Sequence, residues 1–237
     1  MPTLTVPPRF CGPPGCVNGG YLAGLMARHF GGAITVRLER PVPVDMPLEL
    51  QTTAEGVLEL HAPGQRLASA QHAKLMLVPP PAPDYLAALE ASRRYIGFQR
   101  HAFPACFVCG PERLRGDGLR IFAGSSGQHV AAPWVPDASL GEADGKVAAE
   151  FMTAALDCPG YFAARSDGVP MLLGEFTAHI DRRVHVDEPC VLVGWRLGVS
   201  GRKYEVGTAL YDEDGEPCAC ARALWIEPRA ASGSAKN

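Results

Sequence analysis

The sequence predicts an α+β fold in which one unit, a helix followed by an antiparallel meander of strands, occurs twice along the chain. Three observations predict it. Helical and two-residue apolar periodicities alternate in the same order in both halves. Leu38, Arg40, Val42, Val44, Asp45 and Pro47 are matched by Ile180, Arg182, Val184, Val186, Asp187 and Pro189 at a constant offset of 142 residues, five of the six pairs being identical. Between the halves, Pro79-Pro80-Pro81-Ala82-Pro83 cannot continue a sheet, because proline lacks the ladder donor and fixes its φ.

Each element follows from local signals. Asn18 offers an N-cap for a short buried helix over 18–30, whose residues Tyr21, Leu22, Leu25, Met26 and Phe30 fall close to helical spacing. Gly31-Gly32 stops it, and strand-like segments follow at 33–42, 47–54, 56–62 and 66–78. The proline-rich connector leads to a helix at 84–96, a cysteine-containing loop, a strand near 118–123 and another over 129–135. In the second half Ala148, Phe151, Met152, Ala155, Leu156 and Tyr161 mark a helix over 146–164, before strands at 171–186, 190–199, 202–212 and 217–227. The expected organisation is a first unit over 1–78, a linker with a helix over 79–105, a second unit over 106–228 and a small, polar, disordered tail over 229–237.

Composition excludes several classes of protein. Hydrophobic residues make up 47% and charged residues 20% of the 237, which supports a packed core and excludes a disordered acidic chain. With a net charge of -3 and its Lys and Arg scattered among Asp and Glu, the chain has no basic stripe for a phosphate backbone, so nucleic acid is not an expected partner. The N-terminal residues lack a basic region followed by an apolar one, and no stretch is long enough to span a membrane, so a soluble cytoplasmic protein is expected. The eight cysteines are accordingly read as reduced thiols that pack, ligate metal or react.

Three motifs carry a resemblance. Cys106-Phe107-Val108-Cys109-Gly110-Pro111-Glu112, followed by Gly116-Asp117-Gly118-Leu119-Arg120-Ile121, resembles the Cys-Phe-x-Cys-Gly and Gly-Leu-x-Leu stretches of phenylacetyl-CoA-type thioesterases. Asn18-Gly19-Gly20-Tyr21-Leu22-Ala23 resembles their polar-Gly-Gly segment at the start of the central helix, and Ala154-Ala155-Leu156-Asp157 the part of that helix that keeps a catalytic acid. The chain is thus similar to acyl-CoA thioesterases of the double hotdog type, phenylacetyl-CoA and 4-hydroxybenzoyl-CoA thioesterases among them. The resemblance implies two tandem hotdog domains, each a long central helix wrapped by an antiparallel sheet, forming an intrachain pseudo-dimer.

In that family the carboxylate lies nine positions after the polar residue before Gly-Gly. Nine positions after Asn18 stands Ala27, and nine before Asp157 stands Ala148, followed by Ala149 and Glu150. Each half has kept what the other lost. Because family sites lie between two units, the resemblance implies one composite site per chain, with Asn18, Gly19 and Gly20 on the oxyanion side and Asp157 acting on water.

The chemistry suits those residues. A tetrahedral oxyanion is stabilised by fixed N–H donors, which a helix N-terminus supplies, and glycine lets a carbonyl approach the backbone; Gly20 is the preferred donor and Gly19 the second. Asp157 lies in an apolar run where an ionised carboxylate is costly, which a role as general base or as nucleophile would explain. Strand alternation puts Glu175, Thr177 and His179 on one face and Phe176, Ala178 and Ile180 on the other. The resemblance makes Thr177 a candidate to position water, and Tyr21 and Glu175 candidate substrate contacts.

Cys106 and Cys109 could form half of a zinc knuckle with His101 as a third ligand, but without a second Cys-x-x-Cys a packing or turn role is preferred and no metal or other cofactor is expected. Cys11 and Cys16 flank Gly-Pro-Pro-Gly, and no partner identifies either as a nucleophile. The expected activity is acyl-CoA thioester hydrolysis, with acyl-CoA as partner and homo-oligomers of the double unit as a conceivable assembly. The alternatives are a non-catalytic acyl-CoA or acyl-ligand binding protein and, lower, a hotdog hydratase or dehydratase, which needs a helix histidine that neither motif carries.

Overall fold

The computed structural model describes residues 2–164, 167 and 169–229; the tail expected to be disordered lies, from residue 230, outside them. The first half contributes β1 (Thr3–Leu4), β2 (Ile34–Leu38), β3 (Leu48–Thr52), β4 (Leu58–Ala62) and β5 (Gln65–His72). The second contributes β6 (Gly124–Ser126), β7 (His129–Trp134), β8 (Leu172–Ile180), β9 (Cys190–Ser200), β10 (Lys203–Tyr211) and β11 (Pro217–Ile226). All join one sheet in the order β1-β3-β4-β5-β2-β8-β11-β10-β9-β7-β6, so the halves meet edge to edge through β2 and β8.

The register of that seam reflects the sequence repeat. The antiparallel partners are Ile34 with Ala178, Thr35 with Thr177, Val36 with Phe176 and Arg37 with Glu175. Thr35 and Thr177, the residues opposite each other, are also 142 positions apart, and their hydroxyl oxygens lie 2.7 Å from each other. Asp45 and Asp187, another pair at that offset, both adopt positive φ, 57° and 61°. Their N–H groups donate to Val6 and Pro136.

The helices are α1 (Gly19–Ala27), α2 (Tyr85–Ser92), α3 (Ala149–Ala155) and α4 (Asp157–Ala164). The approaches to α1 and α3 are alike: bridges pair Cys11 with Val17 and Gly141 with Val147. Asn18 N–H donates to Phe10 and Ala148 N–H to Leu140, both at 2.9 Å. The helix expected over 146–164 is two helices, interrupted at Leu156. Pro159 is the cause: it has no N–H to give Ala155, and its ring would collide with that carbonyl. It is accommodated in the first turn of α4, where no such bond is needed.

Helices α1 and α3 cross closely. A Cβ on Gly20 would stand 2.6 Å from Asp157 Cβ and 2.9 Å from Thr153 O, and one on Gly24 would run into Glu150. Glycine four residues apart therefore lets the backbones touch. Leu22 and Met26 of α1, Met152 of α3 and Leu156 between α3 and α4 are buried with Val36, Phe176, Leu192 and Leu210 of the sheet in the main core. On the opposite sheet face Ala88 and Ala91 of α2 cover Val191, Val193 and Trp195 of β9. Each fully buried large apolar side chain contributes about 1.5–3 kcal/mol.

The strand expected near 118–123 is not a strand. This segment is irregular, and Leu119 and Ile121 donate instead to the carbonyls of Phe107 and Val108 in the cysteine loop. That loop in turn crosses to the first half, where Phe107 N–H donates to Cys11 O at 2.7 Å. No helix among the described residues is long and apolar enough to cross a membrane.

Candidate functional site

The head of α1 and the start of α4 meet. Asn18 caps α1, its Oδ1 accepting from Tyr21 N–H at 2.9 Å. Its Nδ2 donates to Asp157 Oδ2 at 2.7 Å, and Gly20 N–H donates to the same oxygen at 3.1 Å. Asp157 thus sits at the positive end of α1, where unpaired amides favour an anion. The residues expected from both halves, Asn18, Gly19, Gly20 and Asp157, come together here.

Asp157 is only 2% exposed. Burial pushes its pKa from 3.8 up to about 7; the Gly20 amide opposes that, the Cys106 thiol adds to it and the Asn18 amide opposes it. Oδ1 is buried and has no hydrogen-bond partner among the described residues. One oxygen of the carboxyl is therefore clamped and the other left with both lone pairs unused. Such an oxygen is costly in a resting core and is the one able to take a proton.

A cavity of about 320 Å³ reaches this carboxyl. Its wall includes Asn18, Gly19, Asp157 and the apolar side chains of Phe103, Met171, Leu173 and Trp225. Arg40 and Arg202 also line it and are exposed. Gly19 N–H, unlike Gly20 N–H, has no acceptor among the described residues, and a Cβ at Gly19 would press within 2.6 Å of Leu173 Cδ2.

Several expected site residues lie elsewhere or act differently. Thr177 is bonded to Thr35 across the β2–β8 seam. Glu175 pairs with Arg37 at 2.8 Å. Both occupy the sheet face opposite the buried Phe176 and Ala178, and neither lines the cavity. The same alternation that groups them turns them away from the helices. Tyr21 does not line the cavity either; its ring stacks on Phe10 at 4.2 Å and abuts Phe107 and Phe151. Gly20 N–H is occupied by Asp157, and the space a Gly20 Cβ would fill holds Asp157 and Thr153 rather than substrate.

The cysteine loop gains a member that its spacing does not reveal. Cys158, next to Asp157, brings its sulfur to 3.7 Å from Cys106 Sγ, and the sulfurs of Cys106, Cys109 and Cys158 all lie within 4.8 Å of one another. His101 Nε2 is 3.4 Å from Cys109 Sγ, while its Nδ1 accepts from Phe103 N–H at 2.9 Å. A neutral ring with that acceptor carries its proton on Nε2, so His101 faces the sulfur as a donor. Cys16 lines the cavity, but burial raises its thiol pKa, with Cys11 adding to the rise. That disfavours the thiolate a nucleophile needs.

The place related to this site by the repeat is built differently. Ala27 stands where Asp157 stands, and Glu150 where Gly20 does, at an offset of 130 residues. Glu150 is 5% exposed and is held by Arg28, whose Nε donates to Oε2 at 3.3 Å. Arg28 itself occupies the position corresponding to Cys158. An ion pair thus fills the second position, leaving no free carboxyl and no glycine at the helix start.

No protein-family model matches the chain, and no curated protein matches its sequence. Solved structures do resemble it. The tesB protein of Mycobacterium avium subs paratuberculosis superposes with a TM-score of 0.60 at 13% identity, covering 90% of this chain and 88% of its own. A Thermobifida fusca structure described as a candidate thioesterase II gives 0.60 at 16% identity, covering 96% and 92%. A conserved protein of unknown function with hot dog fold from Alicyclobacillus acidocaldarius gives 0.55 at 12% identity, covering 97% and 93%. These likenesses over nearly the whole chain show the hotdog fold.

Proposed function

We propose that the chain is an intrachain pseudo-dimer of two hotdog units, over 1–78 and 106–228, and acts as an acyl-CoA thioesterase-like hydrolase with one composite site. The matching of Thr35 with Thr177 at the seam and the like approaches to α1 and α3 support the pseudo-dimer. The descriptions of the neighbouring structures favour the chemistry. The observation that carries the function is the carboxyl of Asp157, clamped through Oδ2 by Asn18 and Gly20 and free at Oδ1 beside an apolar cavity.

In this reading the acyl group occupies the apolar part of the cavity, and Arg40 and Arg202 meet the phosphates of CoA. Ionised Asp157 takes a proton from water through Oδ1 as the water oxygen bonds to the thioester carbon. The carbonyl oxygen becomes an oxyanion and is met by Gly19 N–H, so the donor role moves from Gly20 to Gly19. Collapse breaks the carbon–sulfur bond, and the proton on Asp157 passes to the departing thiolate. Base catalysis is favoured over direct attack because the clamped carboxyl is held by two donors at a crowded helix crossing.

The test is release of free thiol from short, aromatic and long acyl-CoAs by wild type and Asp157→Asn. Release by wild type, reduced at least a hundredfold in the variant, is the expected result. Absence of release from every substrate, with thermal stabilisation by the same acyl-CoAs, would replace hydrolysis by ligand binding. Label from H₂¹⁸O in a single turnover is expected in the product acid alone; label in the peptide containing Asp157 would show a mixed anhydride instead.

A further inference from the structure

We propose that Cys106, Cys109 and Cys158 form a binding site for one thiophilic divalent cation, Zn²⁺, held by three thiolates. The ligands come from two places in the fold: Cys106 and Cys109 from the loop packed against α1, and Cys158 from the first turn of α4. All three are buried and all three line the cavity.

The geometry fits a metal better than packing alone. Two Zn–S bonds of about 2.3 Å at a tetrahedral angle place their sulfurs about 3.8 Å apart. The Cys106 and Cys158 sulfurs are 3.7 Å apart, and the three-sulfur group spans no more than 4.8 Å. The turn that carries two of the sulfurs is also fixed by its backbone. Cys106 and Cys109 face each other across one tight turn, which Gly110 N–H closes by donating to Cys106 O at 2.9 Å. Tyr95 OH holds the Cys109 carbonyl at 2.8 Å.

His101 supports this site without being a ligand. Its Nδ1 is occupied by Phe103 N–H, so Nε2–H is directed at Cys109 Sγ. An imidazole in that position orients a ligand sulfur and lowers its negative charge, the usual task of groups one shell out from a metal. Three protein ligands leave one coordination position, open to the cavity that the three cysteines line, for water or a bound molecule. Binding takes the proton from each thiol still protonated and releases it to solvent.

The test uses the reduced full-length chain, freed of metal by chelator and titrated with Co²⁺ without oxygen. The expected result is uptake of one equivalent with thiolate-to-cobalt charge-transfer absorption in the near ultraviolet, displaced by Zn²⁺ and lost in Cys109→Ser. Cys218→Ser, a buried thiol of β11 outside the cluster, should keep the absorption. Should Cys109→Ser not fold, alkylation of wild type decides: Zn²⁺ should protect Cys106, Cys109 and Cys158 selectively. No uptake by reduced wild type, absorption that survives in folded Cys109→Ser, or protection of other cysteines would each overturn the proposal. So would a Cys106–Cys158 disulfide in the untreated chain with no metal uptake after reduction. None of these readouts depends on thioester hydrolysis.

Discussion

Replacing Asp157 by Asn should stabilise the metal-free protein at alkaline pH while lowering the proposed hydrolysis at least a hundredfold. The folded carboxyl titrates near 7 rather than 3.8, mainly because it is buried. Each tenfold change in an ionisation constant is worth about 1.4 kcal/mol, so keeping Asp157 ionised in the fold costs about 4 kcal/mol at about pH 8. The sign follows from proton counts. Between pH 3.8 and about 7 the folded chain holds a proton that the unfolded chain has released, so wild type loses stability as pH rises through that window and is level above it. Asparagine carries no charge and can still accept from Asn18 and Gly20 through its oxygen, but its amide takes the place of Oδ1, where an unpaired donor costs about 1–3 kcal/mol. The net expectation is a gain of about 1–3 kcal/mol at about pH 8, falling to zero or below near pH 4. Urea unfolding of chelator-treated wild type and variant across that range measures it. Stability curves that stay parallel with pH, or a variant less stable at the alkaline end, would refute the electrostatic reasoning.

Four other outcomes follow from the same geometry. If the metal-free protein hydrolyses acyl-CoA as proposed, kcat/KM should rise tenfold per pH unit below about 7 and level off above it, since the ionised base is needed; a flat pH–rate profile would exclude Asp157 as that base. Gly20→Ala should destabilise by about 1–3 kcal/mol, read by thermal or urea unfolding, because its Cβ meets Asp157 Cβ and the Thr153 carbonyl. Arg28→Met should cost about 1–3 kcal/mol by leaving the buried Glu150 carboxylate without its partner, yet leave kcat per folded molecule unchanged. Thr177→Ala should leave kcat and KM within about twofold of wild type, since Thr177 faces Thr35 across the seam rather than the cavity.

Much of the architecture was legible because the sequence repeat has a counterpart in the register of the sheet. The offset of 142 residues that relates Arg40 to Arg182 is the offset that places Thr35 opposite Thr177. The meeting of Asn18, Gly20 and Asp157 was legible for a similar reason: each half lacks what the other provides, and the helices pack across the seam. Thr177 and Glu175 lie away from the cavity because strand alternation turns them to the face opposite Phe176 and Ala178, whose apolar side chains mark the inward face in the sequence. The break after Ala155 follows from Pro159, but where the helix resumes depends on tertiary packing. Cys158 joining Cys106 was not legible at all, because no spacing rule relates thiols 52 residues apart. Tyr21 likewise belongs to an aromatic cluster gathered from α1, α3, the cysteine loop and the N-terminal segment.

The most direct test of the proposed single composite site is calorimetric titration of wild type with thioether analogues of short, aromatic and long acyl-CoAs. One analogue per chain, with affinity lost when Gly19→Trp fills the space beside Leu173, is the predicted result. Two analogues per chain, or one whose affinity is indifferent to Gly19→Trp, would contradict a single site at the head of α1.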